Sequence, residues 1–194
     1  MRLDGPVYRY TELTYNLLIM NVLWIIFSIP IFTMGAATTA LFYVVGKHSR
    51  GEQINMLKDF WKGFISDFGQ STIVFILMFI SIGLLYFNLR NLHLVENYII
   101  LYIPFNLFIL IEWILMSVYI YPLISRYELS TFDLFKKTFL LANTNLFRSV
   151  FCLLIIVLVL FLIYWKPFFF LFIMSIYAFL IYNILKGIFL KYES

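Results

Sequence analysis

The chain has 194 residues, of which 63% are hydrophobic, 21% aromatic and only 12% charged. A soluble domain carries about 25% charged residues, so this chain has roughly half the charge that a water-facing surface needs. That excludes an ordinary globular domain, a disordered tail and, despite a net charge of +4, a soluble nucleic-acid binder. The single cysteine, Cys152, excludes a disulfide scaffold and any cysteine-based zinc site. What remains is an integral membrane protein.

A helical span needs about 20 largely apolar residues. The first uncharged run, Leu13–Gly46, is 34 residues long and too long for one crossing. Pro30 and Gly35 interrupt it, which predicts a span over 13–32 and a short apolar helix over 35–46. That second piece is about 16 Å long by helical rise, so it is expected either to be re-entrant or to lie against the bundle. The run exceeds the 7–15-residue core of a secretory signal, and Leu41–Val45 resumes after the small residues Gly35-Ala36-Ala37. It is therefore read as retained.

Further spans are expected over 69–89, 97–125, 149–165 and 167–186, the last two joined by the tight turn Lys166-Pro167. None alternates with period two, which disfavours a strand barrel. The fold class is all-α, a polytopic membrane bundle of about five transmembrane helices. Two amphipathic helices lie between the spans. One covers 54–68, with Ile54, Leu57, Trp61, Phe64, Ile65 and Phe68 at three- and four-residue spacing. The other covers 131–146, with Phe132, Phe135, Phe139, Ala142 and Leu146 as its stripe and Ser130-x-x-Asp133 resembling a capping box.

The basic residues concentrate around these two helices. Lys47, Arg50, Lys58 and Lys62 surround the first; Arg126, Lys136, Lys137 and Arg148 surround the second. By the positive-inside rule both segments and the C-terminus are expected to be cytoplasmic. Five crossings put Arg2 and Arg9 outside, for 10 basic residues inside and 4 outside; a complete hairpin over 13–46 gives 12 and 2. Charge favours the second arrangement and span length the first, so the side of the N-terminus stays open.

Few side chains inside the spans could do chemistry. Glu112 is the only acid well within an apolar run, and an ionisable group there is a functional candidate by default; the plainer reading is a polar link to another helix. Asn16, Asn21 and Asn106 could line a polar path or simply bond neighbouring helices. Gly35, Ala36, Thr39 and Ala40 form two overlapping small-xxx-small pairs that let helices approach closely. His48 and His93 lack metal-ligand spacing, and no metal, cofactor or catalytic group is expected. Gly46-Lys47-His48-Ser49 only looks like the end of a phosphate loop, since Leu41 stands where the upstream glycine belongs. Tyr98, Tyr102, Tyr119, Tyr121, Tyr164, Trp165 and Tyr182 read as interfacial aromatics.

The stretch Asn21-x-x-Trp24-x-x-Phe27-Ser28-Ile29-Pro30-x-x-Thr33-x-Gly35-Ala36-x-x-Thr39-Ala40-Leu41-x-Tyr43-Val44 resembles the signature of the YesL family. Gly51-Glu52, Phe60-Trp61-Lys62-x-Phe64-x-x-x-Phe68-x-Gln70-Ser71 and Tyr121-Pro122-Leu123-x-x-Arg126-Tyr127 continue the likeness, with Lys47-His48-Ser49-Arg50 departing from it mildly. Members are small bacterial membrane proteins, common in Firmicutes and often encoded beside carbohydrate ABC importers. The resemblance implies a role accessory to oligosaccharide uptake and supplies no catalytic residue.

The expected function is a non-enzymatic accessory subunit of carbohydrate ABC import in the bacterial plasma membrane. Trp61, Phe64, Phe68, Phe135 and Phe139 would dock on permease subunits, and the bilayer is the second partner. A homo-oligomer is compatible with the sequence. The chain is not expected to be the permease itself, because it has no Glu-Ala-Ala-x-x-x-Gly loop. The alternative is a stand-alone small-solute or ion transporter or channel with Glu112, Asn16 and Asn21 as ligand-binding residues. An intramembrane enzyme is disfavoured, for the spans hold no paired carboxylates and no Ser/His arrangement.

Overall fold

The computed structural model describes residues 6–91 and 99–193, with side chains over 11–91 and 100–190. Eight α-helices and no strand occur among the described residues. They are α1 (Pro6–Phe27), α2 (Met34–Ser49), α3 (Met56–Ser66), α4 (Phe68–Arg90), α5 (Ile99–Ile124), α6 (Thr131–Thr144), α7 (Leu146–Trp165) and α8 (Phe170–Glu193). Single 3-10 turns, Ile31–Thr33 and Pro167–Phe169, lead into α2 and α8. Helices α4, α5, α7 and α8 are long and apolar enough to cross a membrane, and α1 adds a shorter apolar stretch, Thr11–Phe27. The chain is a helical membrane bundle. Arg2, His93, Tyr98 and the first residues of the expected third span lie outside the described residues, as do the side chains of Arg9 and Lys191.

The break in the first apolar run falls at Ser28-Ile29-Pro30. Helix α1 stops at Phe27, whose carbonyl the ending helix leaves open; the Thr33 hydroxyl lies 2.7 Å from it and 2.6 Å from the Pro30 carbonyl and donates to both. Helix α2 then returns along α1, as Trp24 Nε1 donating to Thr38 Oγ1 at 3.1 Å shows. Ten of its 16 residues are buried, and it packs against α1, α3, α4, α5 and α8. The short helix is therefore the centre of the fold. Its small residues make that position accessible. A Cβ on Gly35 would stand 2.5 Å from the Ser71 carbonyl oxygen, and one turn later Thr39 Oγ1 meets Ser71 Oγ at 2.8 Å.

Both amphipathic helices are shorter than the pattern predicts. Helix α3 starts after Asn55, whose side chain accepts from the Lys58 N–H at 3.1 Å, and it stops at Ser66. Phe68 opens α4 and Leu146 opens α7, so neither belongs to an amphipathic helix. Ser130 does cap α6, accepting from the Asp133 N–H at 3.2 Å. The Asp133 carboxylate then accepts from the Ser130 hydroxyl at 2.6 Å instead of from a backbone N–H.

Polar contacts order the ends of the spans. Gln70 Nε2 donates to the Leu129 carbonyl at 2.8 Å, which sets the start of α4 beside the chain leaving α5. At the other end of that pair Asn88 Nδ2 donates to Asn106 Oδ1 at 3.5 Å. The Tyr119 hydroxyl meets Ser149 Oγ at 2.7 Å, and the rings of Tyr127 and Phe189 lie 6.2 Å apart. The junctions of α3 and α6 with their spans and the last turns of α8 thus share one end, called here the basic end. Tyr119 and Tyr182, expected at the interface, are instead buried, because each hydroxyl has partners inside the bundle. Tyr164 and Trp165 are exposed at the turn between α7 and α8.

Candidate functional site

Helix α3 carries apolar residues on two faces. Phe60, Gly63 and Phe64 are buried, and a Cβ on Gly63 would come within 3.0 Å of the Tyr43 ring, so α2 and α3 touch there. Phe64 lies in an aromatic cluster, 4.9 Å from Phe27 and 5.3 Å from Phe68 between ring centroids. The second face is Leu57, Trp61 and Ile65, four residues apart and exposed by 66%, 51% and 54%. Lys58 and Lys62 flank it. Of the expected docking residues on this helix, Trp61 is free on one side, while Phe64 is enclosed and Phe68 half-buried. The close approach at Gly63 turns Phe64 inward.

A buried carboxylate fixes the angle of α3. Asp59 Oδ1 accepts from Lys47 Nζ at 2.8 Å and Oδ2 from the Asn55 N–H at 2.8 Å. Burial pushes the Asp59 carboxyl up, but the Lys47 ammonium and the Asn55 N–H outweigh it and hold the group below its ordinary 3.8. The hydrogen bond to Asp59 holds Lys47 above its ordinary 10.5. The connection from α2 makes this pairing possible. Gly51 has φ +75°, its N–H reaches the His48 carbonyl at 3.0 Å, and the Glu52 N–H reaches that of Lys47 at 3.1 Å. This is the left-handed helix ending that favours glycine.

Next to it, two arginines converge on one buried hydroxyl. Arg50 Nη1 and Arg126 Nη1 donate to the Tyr182 oxygen at 3.2 and 3.0 Å, and Lys186 Nζ donates to the Ser49 carbonyl at 2.7 Å. Arg50 also pairs with Glu52. Sequence patterning gave Asp59 no role; Phe60 entered only as a motif position, and Arg50 and Arg126 only as basic or motif residues, with nothing to bring the two together.

On α6 the buried row is Leu134, Thr138, Leu141 and Ala142, not the phenylalanine stripe. Thr138 tolerates the interior because its hydroxyl donates to the Leu134 carbonyl at 2.7 Å. Phe135 is half-buried with its ring edge-on to Trp113 at 5.8 Å, and Phe139 is exposed. Glu112 is half-buried, and its Oε2 accepts from Asn143 Nδ2 of α6 at 3.0 Å. Asn21 is buried and committed to backbone: its Nδ2 donates to the Phe170 carbonyl at 3.1 Å and its Oδ1 accepts from the Ser175 N–H at 3.0 Å. Asn16 is half-buried in an open recess of about 1010 Å³ whose wall also holds Glu12, His48, Glu52 and Phe179. The three residues expected to bind a ligand therefore occupy separate settings.

The hairpin, the glycine contact with α4 and the seating of α3 all belong to one continuous piece of chain. Residues 17–89 match the family described as protein of unknown function, DUF624. The DUF624 segment runs from the middle of α1 almost to the end of α4. It covers the stretch that carries the YesL-like motif, and the two agree. No curated protein and no solved structure matched the chain.

Proposed function

We propose that the chain is a non-enzymatic accessory protein of carbohydrate import in the bacterial plasma membrane, docking on ABC permease subunits through α3 with the basic end and C-terminus in the cytoplasm. The observation that carries docking is the exposed row Leu57, Trp61 and Ile65 on a helix already fastened from behind by Asp59 and Gly63. A surface mounted in this way loses little conformational freedom on binding, and tryptophan is the residue type that most often anchors an interface. The carbohydrate assignment rests on the resemblance to the YesL family, and the orientation on the positive-inside rule. The transporter reading draws less support, since Asn21 is spent on backbone and Glu112 is bonded to α6.

The test is affinity purification of the tagged chain in mild detergent from cells grown on an oligosaccharide. Permease subunits should accompany the wild type, and the double variant Leu57→Asp/Trp61→Asp should lose them about tenfold, a change of about 1.4 kcal/mol, while keeping its helical circular dichroism. Purification of the wild type without any permease subunit would refute the accessory role.

A further inference from the structure

Glu112 stands at the midpoint of the candidate span Ile100–Ile124. A carboxylate at that depth is costly unless a donor or a cation meets it. Asn143 Nδ2 of α6 satisfies one oxygen, Oε2, at 3.0 Å. Among the described residues Oε1 has no hydrogen-bond donor, and no lysine, arginine or histidine pairs with the carboxylate. Asn143 has no hydrogen left for it. An amide carries two, and Nδ2 also donates to the Phe139 carbonyl at 3.0 Å.

The pair sits at the edge of the bundle, for Glu112 and Asn143 are both half-buried. Phe108, one turn before Glu112, is 57% exposed, and Ile111 beside it 54%; Phe139, one turn before Asn143, is 46% exposed. The seam between α5 and α6 is thus an apolar surface at membrane depth that carries one negative acceptor. Its complement is a positive charge on an apolar element. A metal ion fits poorly, since no group of three His, Cys, Asp or Glu side chains gathers among the described residues. A second copy of this chain fits no better. Its Asn143 would be spent in the same way, and its Glu112 would repel the first. The lysines and arginines of α4, α7 and α8 lie near the ends of those helices, and α5 has none.

We propose that this seam docks one transmembrane helix of another protein, which sets a lysine or arginine against Glu112 Oε1. The contact does not depend on what α3 binds. A photo-crosslinking residue at Ile111 of the full chain, in intact cells, should capture a membrane-spanning peptide with a lysine or arginine inside its span. The same probe at Leu154, 61% exposed on α7, should not capture it. Glu112→Gln keeps an acceptor for Asn143 and removes the charge, so the yield should fall about tenfold while the helical circular dichroism is unchanged. Glutamine in place of the captured basic residue should cost as much, and the two changes together no more than either alone, as coupled partners require. Capture of lipid alone, of this same chain or of a span without a basic residue overturns the proposal. So does a yield that Glu112→Gln leaves unchanged, or a pair of losses that add.

Discussion

Lys47 and Asp59 join the end of the central helix to the amphipathic helix, and both side chains are mostly shielded from water. Removing one partner leaves the other without its bond, which costs about 1–3 kcal/mol for a buried group. Asp59→Asn should therefore lower Tm, by about 2–4 °C per kcal/mol for a chain of this length. The sign with pH follows from the two shifts. Asp59 is held below 3.8, so its contribution is complete above that value and is lost as pH falls through the lower folded value. Lys47 is held above 10.5, so its contribution is complete below that value and is lost as pH rises through the higher folded value. The difference in Tm between wild type and Asp59→Asn should be constant from about pH 5 to pH 9 and shrink below pH 4; a difference that peaks in acid would contradict the assignment. Little of this was legible in the sequence. Lys47 drew notice as one of the basic residues around the first amphipathic helix and as part of a failed phosphate-loop pattern, and nothing in a one-dimensional spacing says that the turn at Gly51 folds Asp59 back on it.

At the scale of elements, the position of α2 depends on side chains that are barely there. Gly35→Ala would set a methyl group 2.5 Å from the Ser71 carbonyl and 2.8 Å from Phe75 Cβ, an overpacking that costs about 1–3 kcal/mol. Gly83→Ala meets nothing within 4 Å and should be neutral or stabilising by up to about 1 kcal/mol, because alanine is the better helix former. Thermal unfolding of the two variants side by side checks the contrast, and equal melting would show that α2 is not tightly seated on α4. The small-residue spacing Gly35, Ala36, Thr39, Ala40 announced a close helix contact, and Pro30 announced the break before it. The central place of α2 was hidden, since a helix too short to span reads equally well as peripheral. The orientation of α3 was hidden for a different reason. Phe60 and Phe64 make one apolar row and Leu57, Trp61 and Ile65 another, and periodicity alone does not say which row turns inward. Gly63 and Asp59 decide it, through a close contact and an ion pair that exist only once α2 is in place. On α6 the large phenylalanines outweighed Thr138 in the pattern, although a threonine bonded to its own helix packs inside without penalty.

For the whole molecule, the charge deficit and the run lengths were enough to give a membrane bundle, because the long apolar runs are helical in the structure, the first divided into α1 and α2 and two others joined across Glu112 into α5. The spans α4 and α7 show how a bilayer replaces a buried core: only 17% of the residues in the apolar stretch of each are buried, and apolar residues such as Phe79 and Leu154 face outward. Polar chemistry is instead gathered at one end, where the α3 and α6 junctions, Arg50, Arg126 and the last turns of α8 meet. The proposed docking surface for permease subunits, the exposed row on α3, lies at that end. Site-specific photo-crosslinking in intact cells, with the probe placed in turn at Trp61 and at the lipid-facing Phe79 of α4, tests it most directly. A crosslink to an ABC permease subunit is expected from position 61 and none from position 79. A probe at position 61 that reacts only with lipid, or that crosslinks no better than the one at position 79, would contradict it.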